Sequence, residues 1–135
     1  MNREILFKAK RKDWRDLPKE QWWIEGLPTR MWRELYIQDS EDENTAYKID
    51  PDTLCQYTGL TDKNGKKIWE NDICDRKEKY PEIVAYNKGD WQLDYSYAFG
   101  EEMHSNACNL GFYACERNCV EVIGNIFDNA DLLEV

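Results

Sequence analysis

In the middle of the chain, at residues 60–69, two apolar runs meet across the dipeptide Asn64-Gly65. Asn-Gly accepts positive φ at both central positions of a type I′ turn, the two-residue turn whose twist matches that of paired strands. The stretch therefore predicts a hairpin of 60–62 with 67–69, in which Gly59 and Gly65 serve the backbone rather than a phosphate group. A fixed reversal at mid-chain sets the class as mainly β.

The flanking segments agree with that class. Residues 82–87 are β-branched and apolar, 88–90 (Lys-Gly-Asp) form a tight turn, and Trp91, Leu93, Tyr95 and Tyr97 alternate on one face, a second hairpin. Ile5, Phe7 and Ala9 mark a half-buried first strand over 4–9, and 10–20 reads as a polar loop. Residues 22–25 read as a strand stopped by Gly26 and Pro28. Residues 29–36 carry both a helical stripe (Met31, Trp32, Leu35, Tyr36) and the start of a strand over 34–38, with the strand preferred. Tyr47 with Ile49, then 54–58, add short strands, separated by a turn at Asp50-Pro51. Val120 to Phe127 return to strand character, and Asp128 or Asn129 caps a short terminal helix. Short strands at this spacing predict a small pseudo-barrel of hairpins, SH3-like or partly open.

At 135 residues the chain fits one domain, 1–135, and can bury a core without disulfides. The expected divisions are a variable N-terminal part at 1–33, core hairpins at about 54–97, and a terminal strand and helix at 120–135. No run of about 18 apolar residues exists to cross a membrane as a helix, and the first ten residues lack a secretory signal, so a cytoplasmic location is expected. Five cysteines (Cys55, Cys74, Cys108, Cys115, Cys119) are expected to be reduced, with Cys55 and Cys74 acting as small core hydrophobes. The net charge of −9 is uneven: residues 1–33 carry nine Lys/Arg against five Asp/Glu, and 34–135 carry nine against twenty-two. Such an acidic body is repelled by phosphate backbones, so nucleic acid is not the expected partner. The basic arm (Lys8, Lys10, Arg11, Lys12, Arg15) is read as a solvated charged loop able to make a few phosphate contacts.

Residues 56–68 (Gln-Tyr-Thr-Gly-Leu-Thr-Asp-Lys-Asn-Gly-Lys-Lys-Ile) followed by Glu70-Asn71-Asp72-Ile73 resemble the core signature of the YopX-like family of bacteriophage and prophage proteins. The ending at 122–133 (Val-Ile-Gly-Asn-Ile-Phe-Asp-Asn-Ala-Asp-Leu-Leu) resembles the same family, which tends to have Pro where this chain has Ala130. Family members commonly show Gly at the position of Asn71, and Asn is the non-glycine residue that best tolerates a left-handed backbone. The resemblance implies phage or prophage origin and brings no biochemical activity with it. Tyr57, Gly59, Asn64, Gly65, Asp72, Gly124 and Asn125 match its blocks, and a role in turn and strand geometry is expected of them.

One constellation has the residue types of a metal centre. His104, Cys108, Cys115 and Cys119 form two i,i+4 pairs, and four such ligands suit tetrahedral zinc. Their spacing lacks the Cys-x2-Cys knuckle, so the expectation is no metal and no cofactor, with these four as the alternative set. A single His and no nucleophile motif give no basis for an enzyme. The remaining candidates are Trp14, Trp22, Trp23 and Trp32, crowded near Arg15, Arg30 and Arg33 in a composition typical of binding hot spots. A second small core is the competing reading of the same residues. The expected role is a non-catalytic module that binds an unidentified protein partner or itself. The alternatives are nucleic-acid association through the basic arm, or an acidic body that imitates DNA.

Overall fold

The computed structural model describes residues 4–99 and 108–134. Its strands are β1 (Phe7–Lys10), β2 (Trp23–Met31), β3 (Glu34–Asp39), β4 (Ala46–Lys48), β5 (Cys55–Thr61), β6 (Lys67–Trp69), β7 (Asp72–Asp75), β8 (Glu82–Asn87), β9 (Asp90–Asp94), β10 (Cys108–Asn109) and β11 (Glu121–Asn125). They pair antiparallel in two sheets, in the orders β4-β3-β2-β1-β5-β6 and β10-β9-β8-β7-β11. The fold is mainly β, as the hairpin pattern requires. The sheets do not close into the expected pseudo-barrel. Among the described strands the edges β4 and β6, of three residues each, and β10, of two, leave few unpaired backbone groups to protect, whereas the edge strand β11 has five residues. The chain divides into two compact units, up to Tyr57 and from Thr58 onward.

The first unit is built on the β2–β3 hairpin. β2 runs through both Gly26 and Pro28, where the sequence predicted a stop. At Gly26 a Cβ atom would stand 1.7 Å from the Gln38 carbonyl oxygen, so the backbones approach as closely as only glycine permits. Described pairing with β1 ends at Gly26, so Pro28 lies where β2 has lost that neighbour and a missing N–H costs little. The helical alternative for 29–36 yields to the β2–β3 ladder, which pairs every residue from Gly26 to Met31. Ala9, Ile37 and Ile49 form the core, flanked by Ile24, Leu35 and Leu54. A single bridge, Arg11 to Ile49, brings the end of β1 beside the end of β4, and this is the nearest approach to closure.

The second unit is organised by Asp62. Its Oδ1 accepts the backbone N–H groups of Asn64 and Lys66, each at 2.9 Å, and its Oδ2 accepts that of Val122 at 2.9 Å. The turn after β5 is therefore not the expected type I′: Gly65 has φ of +80°, whereas Asn64 is not among the residues with positive φ. A three-residue loop of 63–65 results, closed by the Gly65 N–H donating to the Asp62 carbonyl and ended by a left-handed glycine. Lys88 and Gly89, both at positive φ, make the two-residue turn between β8 and β9. Asn71, at φ of +70°, adopts the left-handed bend expected of it. The core comprises Ile68, Cys74, Val84, Leu93, Leu110, Ala114, Val120 and Val122. Cys55 and Cys74 are buried, as expected of small hydrophobes, and burial pushes the Cys74 thiol far above its usual range. The terminal helix is a single 3₁₀ turn, Ala130–Leu133. Asn129 does not cap it through its side chain. Its Oδ1 accepts the Asn125 N–H at 3.1 Å and leaves no room for a Cβ on Gly124.

Burial acts to raise the Asp62 pKa, but the three backbone donors and the Lys66 charge outweigh it and hold the carboxyl below its ordinary value. Its contribution is complete above the unfolded-chain pKa of about 3.9 and is lost as pH falls through the lower folded value. Asp62→Ala strands three donors and is expected to cost at least about 3 kcal/mol in urea unfolding at neutral pH. The difference from wild type is expected to shrink as pH falls below about 4.

Candidate functional site

The four N-terminal tryptophans separate into two environments. β1 sets Lys10 opposite Trp23, and two short 3₁₀ turns return the chain so that the Arg11 N–H donates to the Trp22 carbonyl at 2.8 Å. The Lys10 ammonium consequently lies among three indoles, 3.9 Å from the ring centre of Trp14, 4.6 Å from Trp22 and 5.6 Å from Trp23. Trp14 and Trp22 meet edge to face at 4.9 Å, and the Trp22 Nε1–H donates to the Leu17 carbonyl. Each indole offers its electron-rich face to a cation withdrawn from water, worth about 2 kcal/mol when desolvated. Lys10 is 2% exposed, so it does not belong to a solvated basic arm as the sequence predicted. Three of the four candidate interaction tryptophans, each half-buried, thus form a small cluster around a buried charge. Strand alternation could not show this, because Lys10 shares the Lys8 face of β1, opposite Ala9, and is buried only because the indoles pack on that face.

Trp32 is different. It is 87% exposed, at the tip of the hairpin between Met31 and Glu34. Trp32 and Arg33 have φ of +48° and +68°, the left-handed pair that a two-residue turn demands and that Asn-Gly supplies without strain. Left-handed backbone costs an ordinary side chain roughly 1–2 kcal/mol per residue. Arg30 and Arg33 are exposed beside it, and neither has an ion-pair partner among the described residues. The tip offers a rigid aromatic surface, one indole N–H and two guanidinium forks, the chemistry of an interface anchor.

At the other end of the same hairpin the surface is concave and acidic. A groove of about 510 Å³ is lined by Ile5, Leu6 and Leu27 and rimmed by Asp39, Glu41 and Glu43. Ile5 is 63% and Leu27 52% exposed, so two large aliphatic side chains stand in water there. The β3–β4 turn holds the rim: the Ser40 N–H donates to the Glu25 carbonyl, and the Asp39 Oδ1 accepts the Glu41 N–H. A neighbouring groove shares Asp39 and Glu41 and adds Glu25.

The second unit contains a buried ion pair that sequence reading missed. Arg76 forks onto Glu82, Nε to Oε1 at 2.6 Å and Nη2 to Oε2 at 3.4 Å, with Glu82 only 1% exposed. Burial raises the Glu82 pKa against the opposing pull of Arg76. Burial also works against the Arg76 charge, but Glu82 outweighs it and holds the guanidinium above its ordinary value. The guanidinium lies 4.2 Å from the ring centre of Tyr113, and Nη2 donates to the Cys108 sulfur at 3.3 Å. A cavity of about 220 Å³ beside it is lined by Arg76, Glu78, Lys79, Tyr80 and Tyr95.

His104 lies outside the described residues. Its three proposed companions do not share a helical face. Cys108 is in β10, Cys115 is exposed in the π-helical turn Phe112–Glu116, and Cys119 lies beyond that turn with its sulfur donating to the Tyr113 carbonyl. Among the described residues no three His, Cys, Asp or Glu side chains gather as metal ligands do. Burial raises the Cys108 thiol pKa and Arg76 only partly opposes it, so the sulfur stays protonated near neutral pH.

The molecule is thus a small, mainly β protein of two open antiparallel sheets, with the most exposed aromatic among the described residues at a strained hairpin tip. The chain belongs to the YopX family: the family model described as YopX protein matches residues 7–134, nearly the whole length. That match takes in residues 7–33, which the two motif blocks leave out. No curated protein matches the chain. The residues that carried the resemblance are geometric in role: Gly59 and Gly65 have positive φ, the Asp72 carboxylate accepts the Trp69 N–H at 2.8 Å, and Asn125 Oδ1 accepts the N–H groups of Phe127 and Asp128.

If the tip is strained, replacing Trp32-Arg33 with Asn-Gly should stabilise the chain by about 1 kcal/mol in urea unfolding. It should also remove the emission component most accessible to a soluble quencher such as iodide.

Proposed function

We propose that this chain is a non-catalytic accessory protein of phage or prophage origin, acting in the bacterial cytoplasm by docking through the tip of the β2–β3 hairpin on a protein partner, a second copy of itself included. The observation that carries this reading is Trp32, 87% exposed in a turn where its backbone is strained. Strain of this kind persists where surrounding structure enforces it, and it collects at working surfaces. The tip places an exposed indole beside two guanidinium groups that have no ion-pair partner among the described residues, the composition of an interface anchor. Non-catalytic action is supported by the Cys108 thiol, which stays protonated, and by Arg76, whose fork is already filled by Glu82. Phage origin rests on the family alone.

The test is capture from bacterial lysate on the tagged full chain, with and without nuclease, beside a Trp32→Ser variant. A protein retained stoichiometrically in both nuclease conditions, and reduced at least tenfold by Trp32→Ser, is the expected result. Nucleic acid retained alone, and lost with nuclease, would overturn the reading and transfer the function to Arg11, Lys12 and Arg15.

A further inference from the structure

The tip and the acidic groove are complementary in three respects, and both belong to one unit of one chain. The tip is convex and apolar, and the groove is concave with an apolar floor of Ile5, Leu6 and Leu27. The tip carries Arg30 and Arg33, and the groove carries Asp39, Glu41 and Glu43. At about 510 Å³ the groove has room for an indole and the stems of its neighbours. The β2–β3 register places them at opposite ends of the hairpin, Gly26 opposite Asp39 at one end and Met31 opposite Glu34 at the other. Five residue steps separate the two ends, about 17 Å at strand rise, across a paired ladder that does not fold back on itself. A chain therefore cannot fill its own groove with its own tryptophan.

We infer that the groove's occupant is the Trp32 tip of a second copy, with Arg30 and Arg33 of one chain against Asp39, Glu41 and Glu43 of the next. This rests on the docking role given to Trp32 above and names the partner. The contact is heterologous, because two different patches meet, so each joined pair retains a free tip and a free groove. Desolvation of Trp32 and Leu27 supplies the attraction, and the charges fix the register and make the contact salt-sensitive.

The experiment is sedimentation of the full chain at rising concentration, at low and high salt. The wild-type mass is expected to exceed one chain as concentration rises, and to fall back at about 0.5 M salt. Trp32→Ser removes the tip, and Leu27→Asp removes the groove floor. Each variant alone is expected to remain a single chain at concentrations at least tenfold above the wild-type transition. Mixed in equal amounts, they supply one good groove and one good tip, and are expected to form a complex of two chains and no larger. Glu41→Arg, on an exposed turn remote from both cores, gives a second groove variant and should behave as Leu27→Asp does. A wild-type chain that stays monomeric at about 1 mM, variants that assemble as wild type does, or a mixture that fails to pair would each overturn the inference. If the chain stays monomeric while a cell protein is still captured through Trp32, the second copy is overturned as occupant and the docking role stands. If Trp32→Ser also leaves capture unchanged, both fall.

Discussion

The carboxylate of Asp62 holds together parts of the second unit that the chain separates by sixty residues. One oxygen shapes the loop between β5 and β6, and the other receives the Val122 N–H of β11. Beside it the Lys63 N–H donates to the Val120 carbonyl at 2.9 Å. A buried carboxylate is costly unless its lone pairs are filled, and here backbone donors fill them, so the cost of burial becomes specificity for one arrangement. Ile68, Cys74, Val120 and Val122 can form a single core because this group fixes which segment returns to which. The β7–β11 ladder, with its irregularity between Val122 and Gly124, follows from that anchor.

The first unit solves the opposite problem, a buried cation. Lys10 has its backbone N–H on the Thr53 hydroxyl at 2.8 Å and its ammonium among indole faces. Aromatic faces supply negative potential to the ammonium, and they bring apolar area with them. The N-terminal arm is thereby folded onto the sheet by the same residues that composition marks as an interface. Trp32 stays outside this arrangement because the hairpin projects it away from Lys10.

The sequence disclosed hairpins readily and turn types poorly. The β8–β9 and β5–β6 hairpins were legible from alternation and from glycine. The geometry at Asn64-Gly65 was not, because a side chain four positions along the loop, Asp62 against Lys66, outweighs the φ preference of asparagine. The left-handed Trp32-Arg33 turn gave no local signal at all. It is set by the register of Gly26 against Asp39, where only the absence of a side chain lets the strands meet. Of the candidate tryptophans, residue type gave the four names. It could not separate the three that enclose Lys10 from the one that stands in water, since that depends on the turns after β1 packing back onto the Lys10 face. The Arg76–Glu82 fork was hidden in a charged turn whose composition is ordinary for a surface loop. Of the metal alternative, His104 lies outside the described residues, Cys108 lies in β10, Cys115 in the π-helical turn and Cys119 beyond it.

The sixty-residue reach of Asp62 also bears on synthesis. Every strand pairing of the first unit is complete once residue 57 has left the ribosome, so that part can fold while the rest is still being made. The second unit has no such freedom. Its closing strand lies sixty residues beyond Asp62, and until Val122 arrives the Asp62 carboxylate and the apolar faces of β6 and β7 must wait in water. Folding of this chain is therefore directional, with an early half that matures on its own schedule and a late half that waits for β11.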